Sequence, residues 1–311
     1  MKGRFIAAVC LMLPGSFRIL AQNATPLDPT AATNPGTLAY HLATNAVGHK
    51  TSDDKAFDSR SILSGWSYAM YTRTNLARLT NSVWSTNCWL YGVHGLSATC
   101  IGFSNSLGGQ GLVTMVSPRH YLFASHMHPE GFLVAFLGTN NVIYWRKTVQ
   151  RTDLTDHNIP DTSVGILNAD LPPSVEFLPV VPANLSSYLP TNRADFVQGI
   201  GMNQDMRLFG QPMNLANRDV VVWNPAQSVP SGLSTNGNIA IRAGDSSNPE
   251  MLLVNHQLVL VSHNFAAVAG PNYGRQISGI NQAMHYLSTN NRVGTDYQLT
   301  TFSLTNWPVI H

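Results

Sequence analysis

Three stretches of the 311-residue sequence carry side chains that could act together on a carbonyl group. Ser246 lies in AGDSSNP, between two runs that read as strands, His126 ends the run YLFAS, and Asp161 opens the run TSVGIL. A serine hydroxyl is a poor nucleophile until a base takes its proton, and imidazole suits that task near neutral pH. A carboxylate buried at a strand start is costly unless a partner such as a histidine N–H offsets the cost. The three residue types therefore predict nucleophilic chemistry.

Each stretch taken alone also has an ordinary structural explanation. A Gly-Asp-Ser turn is common in surface loops, and a strand-end histidine is often only a hydrogen-bonded polar residue. Asp161 could be an exposed residue like Asp153, Asp156 or Asp170. His128 adds a metal alternative, because His-x-His on one strand projects both rings to the same face. The order and the flanking sequences decide between these interpretations.

Read in order, PRHYLFASH, DTSVGIL and GDSSNP resemble the trypsin-like (chymotrypsin-fold) serine peptidases, whose patterns run near to SPRHVLTAAH, DIALLKL and GDSGGP. The chain order His, Asp, Ser is that of this family, and differs from the orders of subtilisin-like and α/β-hydrolase enzymes. FVQGIGMN resembles the strand that opens the second barrel of the family, and LVLVSHNF resembles the segment beside its substrate. The likeness covers roughly residues 95 to 290.

The resemblance implies a catalytic triad of His126, Asp161 and Ser246. His126 would be the base for Ser246, and Asp161 would fix the tautomer of His126 and stabilise its charged form. The backbone N–H groups of Gly244 and Ser246 would form an oxyanion hole. No cofactor and no metal ion is needed for this chemistry.

The resemblance also implies where a substrate binds. The backbone of Ser262, His263 and Asn264 would pair with an extended polypeptide as an added strand, and Ser262 would also approach Asp161. Ala240 would form the floor of the primary specificity pocket, so no carboxylate is available there to select Lys or Arg.

The sequence departs from the family pattern just after the nucleophile. Ser247 and Asn248 stand where the family has two glycines, and no sequence resembles the IVGG activation site. Asp245 is therefore expected to find a local partner. The first hypothesis implied by the resemblance is a secreted serine endopeptidase that hydrolyses peptide bonds of an extended polypeptide. The departures leave open a second, a catalytically silent relative that binds peptides or proteins. A metal hydrolase using His126 and His128 is the third hypothesis.

The strand-like runs that begin near residue 86 are short and separated by Gly, Pro and Asn, which favours a β-sandwich or paired barrels. With the resemblance, we expect an all-β fold of two antiparallel Greek-key β-barrels. The first barrel would span 91–185 and carry His126 and Asp161, and the second would span 186–290 and carry Ser246. Ser278 to Leu287 reads as a short C-terminal helix, followed by a tail over 291–311.

The N-terminus has the layout of a secretory signal over residues 1–21, with two basic residues, a short apolar run and a cut after Ala21. The following region, 22–90, is expected to be an extension that is partly helical, with helical spacing over 58–84. These features predict a secreted or periplasmic protein with no membrane segment after signal removal.

Composition and cysteine usage fit that compartment. Charged residues make up 11% of the chain, against about 25% in an average soluble protein. The net charge of +2 comes without a Lys/Arg cluster, so no nucleic-acid partner is expected. Cys88 and Cys100 remain after signal removal, and either form a disulfide or are two buried thiols.

Overall fold

The computed structural model describes residues 63–64, 82–85, 90–103, 112–154, 161–188, 197–202, 206, 208–223, 245–265 and 269–305.

Two very short strands belong to the N-terminal extension. β1 (Leu63–Ser64) pairs antiparallel with β2 (Val83–Trp84). The helical prediction for 58–84 is wrong at these four residues, and the rest of that segment lies outside the described part of the chain. The Trp84 indole N–H donates to the carbonyl of Gly138 at 2.8 Å. This bond anchors the end of the extension to the body of the protein.

The first large sheet contains six antiparallel strands. They are β3 (Gly102–Phe103), β4 (Thr114–Met115), β5 (His120–Ala124), β6 (Leu133–Leu137), β7 (Ile143–Asp153) and β8 (Thr162–Leu167). Their hydrogen-bonded order is β3-β6-β7-β8-β5-β4. Two contacts link the residues just before β3 to the region of β4. Thr99 forms an isolated bridge with Thr114, and Cys100 N donates to Val113 O at 3.0 Å.

The second large sheet also contains six antiparallel strands. They are β9 (Val197–Met202), β10 (Leu208–Asn217), β11 (Val220–Trp223), β12 (Pro249–Val254), β13 (Gln257–His263) and β14 (Ala269–Pro271). Their order is β13-β12-β9-β10-β11-β14. The two edge strands β13 and β14 meet at one end, where Phe265 N donates to Ala269 O at 3.2 Å. Gly270 lies so close to β13 that a Cβ on it would be 2.1 Å from the carbonyl oxygen of His263.

The two sheets share one strand arrangement. Counted from one to six within its own sheet, the first has the order 1-4-5-6-3-2 and the second has 5-4-1-2-3-6. When the first and last strand of each order are joined to form a closed ring, both orders become 1-2-3-6-5-4. The first ring is interrupted between its strands 1 and 2, and the second between its strands 5 and 6. Close backbone contacts occur at both interruptions.

The largest hydrophobic core joins the two sheets to the C-terminal helix. β5, β8 and β12 are buried along their whole length, as expected of apolar strands covered on both faces. Phe123 of β5, Met251 of β12 and Met284 of the helix belong to one cluster of buried side chains. The strands that lead to the predicted site residues are thus held rigidly by packing.

The single α-helix of the described residues is α1 (Tyr273–Asn290). It begins earlier than the expected Ser278, because the Asn272 side chain caps it by accepting from the Gly274 N–H at 3.1 Å. Its buried face packs against both sheets through residues such as Ile280 and Leu287. No helix in the described part of the chain has the length and apolar character needed to span a bilayer.

The mostly-β class and the C-terminal helix are confirmed, and part of the antiparallel sheet structure curls into a half-barrel. Closure of each sheet into a Greek-key barrel stays a prediction. The end of the expected first barrel packs against two other parts of the chain: Val180 bridges to Leu260 and to Thr301. Through the second bridge the C-terminal tail folds back onto this segment.

Candidate active site

His126 and Asp161 form a hydrogen-bonded pair at one end of the first sheet. His126 follows β5 by two residues, in a turn closed by a bond of 2.9 Å from Met127 N to Ala124 O. Asp161 immediately precedes β8, the neighbour of β5. His126 Nδ1 bonds Asp161 Oδ2. Neighbouring antiparallel strands therefore bring together two residues that are 35 positions apart.

The Asp161 carboxylate receives further donors from the same turn. Its Oδ1 accepts from the backbone N–H of His126 at 2.9 Å and from the Ser125 hydroxyl at 3.0 Å. Several donors to one carboxylate fix its orientation. An ionised Asp161 only accepts hydrogen bonds, so the His126 proton sits on Nδ1 and Nε2 is left as the basic nitrogen. The His126 side chain is 46% exposed, so Nε2 can meet a reactant.

Asp161 holds this position through a constrained backbone. Its φ is 60°, in the left-handed region that non-glycine residues rarely adopt. The Asp161 carbonyl accepts from the Ser125 N–H at 3.0 Å and from His263 Nε2 at 3.1 Å. These two bonds stabilise a conformation that would otherwise cost about 1–3 kcal/mol.

Ser246 lies in a tight turn from Asp245 to Asn248, just before β12. The turn is closed by a bond of 3.1 Å from Asn248 N to Asp245 O, and Ser247 at its third position has φ 71°. Ser246 is partly exposed, whereas its neighbours in the turn are buried. Of the four turn residues, Ser246 is therefore the one that solvent reaches. No hydrogen bond joins Ser246 to His126 in this structure.

Bonds to both sheets fix this turn. Ser247 Oγ accepts from the Ala124 N–H at 2.8 Å, at the end of β5. Ser247 N donates to Asn264 O at 2.7 Å, and Asn264 N donates to Asn248 O at 3.0 Å. The serine turn is thereby tied to the strand that leads to His126 and to the chain that follows β13. Asn248 Nδ2 also donates to Asp245 Oδ1 at 3.2 Å, a local partner of the kind expected for Asp245.

The three residues expected to pair with substrate, Ser262, His263 and Asn264, have internal partners in the structure, and their substrate role stays a prediction. Ser262 and His263 are buried and pair with β12, and the backbone N–H and C=O of Asn264 both bond the serine turn. The Ser262 hydroxyl donates to His263 O at 3.2 Å and not to Asp161. The backbone of Asn264 is thus used by the serine turn, whereas β13 is an edge strand paired with β12 on one side. Gly244 and Ala240 lie outside the described residues.

Two residues that contact Asp161, Ser125 and His263, were not predicted from the sequence to do so. Ser125 supplies the hydroxyl that was expected from Ser262, and its place next to His126 was the available signal. His263 was assigned to substrate, yet its ring points inward to the Asp161 carbonyl and to the Tyr273 hydroxyl. Burial lowers the pKa of His263 to about 4, so the ring is neutral near pH 7.

Arg151 of β7 holds the turn that carries His126. One guanidinium nitrogen, Nη1, donates to Ser125 O at 2.5 Å and approaches Met127 O at 3.4 Å. The guanidinium is itself paired with Glu130 and, at 3.4 Å, with Asp153. A planar group with several fixed donors suits this double contact.

The metal and disulfide alternatives concern residues near this site. His128 is exposed, and the described residues contain no group of three or more His, Cys, Asp or Glu that could hold a metal ion. Cys100 is a fully buried free thiol, and burial raises its pKa to about 12. Cys88 lies outside the described residues, so the Cys88–Cys100 bond stays a prediction.

Comparison with known proteins gives no family assignment. The chain matches no protein-family model, and no curated protein matches its sequence. The arrangement of His126, Asp161 and the Ser246 turn therefore carries the functional argument.

Proposed function

We propose that the chain is a serine hydrolase of the trypsin-like class, with Ser246 as nucleophile, His126 as base and Asp161 as its orienting carboxylate. The observation that carries the proposal is the bond from His126 Nδ1 to an Asp161 carboxylate that also accepts from two donors of the same turn. This arrangement leaves Nε2 as the free basic nitrogen, as general-base catalysis requires.

The shared strand order supports the fold that belongs to this proposal. In the second sheet β12-β9-β10-β11 is the order 4-1-2-3, which defines a Greek key. The same ring order in the first sheet, and the contacts at both interruptions, favour two barrels of equal topology. The dyad would then belong to the first barrel and the serine turn to the second. The Ser247–Ala124 bond would join the barrels at the site.

The proposed chemistry proceeds in two stages. Ser246 Oγ attacks a carbonyl carbon, a C–O bond forms, and His126 Nε2 takes the hydroxyl proton. The backbone N–H groups of Ser246 and Gly244 stabilise the oxyanion. The C–N bond then breaks, and His126 returns its proton to the leaving amine. Water, with His126 again as base, hydrolyses the acyl-serine and restores the hydroxyl.

The proposed substrate is an extended polypeptide outside the cytoplasm. The N-terminal signal layout supports export, and the sequence offers no carboxylate at Ala240 to select basic residues. Because Asn264 is bonded to the serine turn, the expected pairing with a substrate strand would fall on Ser262 and His263, on the side of β13 away from β12.

Covalent labelling with a fluorophosphonate probe tests the proposal. Ser246→Ala and His126→Ala should each abolish labelling and hydrolysis of peptides or esters. Asp161→Asn should lower kcat by a factor on the order of 10⁴, through the wrong His126 tautomer. His128→Ala is the matched control and should retain most activity.

The outcomes separate the three hypotheses. Labelling of the wild type at Ser246, lost in the two alanine variants and insensitive to chelators, supports the serine hydrolase. Activity that is lost with His128→Ala or on chelation would replace it with the metal hydrolase. A folded wild type that shows neither labelling nor hydrolysis would leave the silent peptide-binding relative as the better proposal.

A further inference from the structure

A chain of hydrogen bonds continues from Asp161 into the protein interior. His263, at the end of β13, is 2% exposed, and Tyr273, at the start of α1, is fully buried. His263 Nε2 lies 3.1 Å from Asp161 O, and His263 Nδ1 bonds the Tyr273 hydroxyl. The second sheet and α1 thus reach the dyad of the first sheet through two buried side chains.

The direction of these bonds follows from the groups involved. A backbone carbonyl can only accept, so Nε2 of His263 carries a proton and donates it to Asp161 O. Burial keeps the His263 ring neutral near pH 7, since its pKa is lowered to about 4. Nδ1 is then an acceptor, and the Tyr273 hydroxyl donates to it. The tautomer of His263 is fixed by both neighbours.

Asp161 needs such support because its backbone is held in the left-handed region, at φ 60°. Its carbonyl has two donors, the Ser125 N–H and His263 Nε2–H, and only the second comes from the other sheet. Rotation of the Asp161 peptide would break both bonds and would move the carboxylate that orients His126.

We propose that His263, fixed by Tyr273, is a positioning residue that holds Asp161 in the orientation His126 requires. The role rests on the proposed serine hydrolase, in which Asp161 orients the base. The side chains of His263 and Tyr273 are buried and act through Asp161, so their loss should lower kcat and leave KM unchanged.

Tyr273→Phe is the sharpest variant, because it removes one hydroxyl and keeps the buried ring. It leaves His263 Nδ1 buried and without its donor, which is costly and should loosen the hold of His263 on Asp161. The rate of fluorophosphonate labelling and kcat should each fall about tenfold. Tyr121→Phe is the matched control. Tyr121 is equally buried, in β5, and its hydroxyl packs against Gly165, so labelling should stay within about twofold of wild type.

Two substitutions of His263 separate hydrogen bonding from packing. The amide N–H of His263→Gln can reach the place of the imidazole Nε2–H, so this variant should retain more activity than His263→Leu. Unfolding of the leucine variant would still leave the Tyr273→Phe and glutamine comparisons. Equal activity of wild type, Tyr273→Phe and folded His263→Leu would overturn the proposal.

An NMR readout distinguishes failure of this role from failure of the proposed function. In ¹⁵N-histidine-labelled protein, His263 should be the Nε2–H tautomer, and the His126 Nδ1 proton should resonate far downfield. Tyr273→Phe should shift or broaden the His126 signal, whereas Tyr121→Phe should not. If the fluorophosphonate probe does not label the wild type but these NMR effects are seen, the hydrolase proposal is rejected and the positioning contact is supported. An unchanged His126 signal, or the opposite His263 tautomer, rejects the positioning role even if Ser246 is labelled.

Discussion

Ser247 Oγ accepts a hydrogen bond of 2.8 Å from the backbone N–H of Ala124. The residue after the candidate nucleophile thereby binds the end of the strand that leads to the candidate base. A glycine, which the trypsin-like pattern has at this position, could not make this contact. The departure from the pattern thus supplies a side-chain tether between the serine turn and β5.

Substitutions at Ser247 should separate this tether from backbone strain. Ser247→Ala and Ser247→Gly both lose the hydroxyl, and both should slow labelling of Ser246. At φ 71° alanine is strained and glycine is not. The glycine variant should therefore be more stable by about 1 kcal/mol, measured as the free energy of unfolding in urea. Equal stability of the two variants would contradict the left-handed conformation of Ser247.

Arg151 should matter for activity through the turn that carries His126. In Arg151→Lys a single ammonium replaces the planar fork that reaches Ser125 O, Met127 O and Glu130, so kcat should fall about tenfold. Arg146→Lys is the matched control on the same strand, because Arg146 bonds Asp170 O away from this turn. A kcat that fell equally in both variants would indicate a general effect on β7.

Much of the site could be predicted from the sequence, because the strands that carry it are recognisable as short local runs. The runs YLFAS and TSVGIL correspond to β5 and β8, and the residues flanking them, His126 and Asp161, meet because the end of β5 lies beside the start of the antiparallel β8. The inward direction of His263 was not predictable. It depends on how β13 meets α1, which no local pattern encodes.

Two strands of the second sheet have weak strand patterns in the sequence. β10 contains Gly210 and Pro212, which weaken a strand pattern. β14 has only three residues, Ala269–Pro271, and is recognisable only by its pairing with β11. The common ring order of the two sheets was equally hidden, because pairing of distant strands leaves no repeat in the sequence.

Cys100 should be chemically inert in the native protein. Its thiol is fully buried, its Sγ accepts from the Val113 N–H at 3.3 Å, and burial raises its pKa to about 12. An alkylating reagent at pH 8 should leave Cys100 unmodified. Denatured, unreduced protein separates the two alternatives, because a Cys88–Cys100 disulfide would prevent modification there as well, whereas two buried thiols would both become accessible. Two labelled cysteines there would show that both are free thiols.

Two buried histidines should make the protein less stable in mild acid. His120 bonds the hydroxyls of Ser117 and Ser288, joining β5 to α1. Burial, followed by the charge of Arg119, lowers the pKa of His120 to about 4, and burial lowers the pKa of His263 to about 4. An unfolded histidine titrates near 6.5.

The sign of the effect follows from these pKa values. Below pH 6.5 the unfolded chain binds protons that the folded protein does not, so acid favours unfolding. The stabilisation is complete above about pH 6.5 and is lost as the pH falls towards 4, by roughly 3 kcal/mol for each histidine. Urea unfolding of wild type and His120→Gln at several pH values tests this. The variant should lose about 3 kcal/mol less between pH 6.5 and 4, and an equal loss in both proteins would show that His120 is not the titrating group.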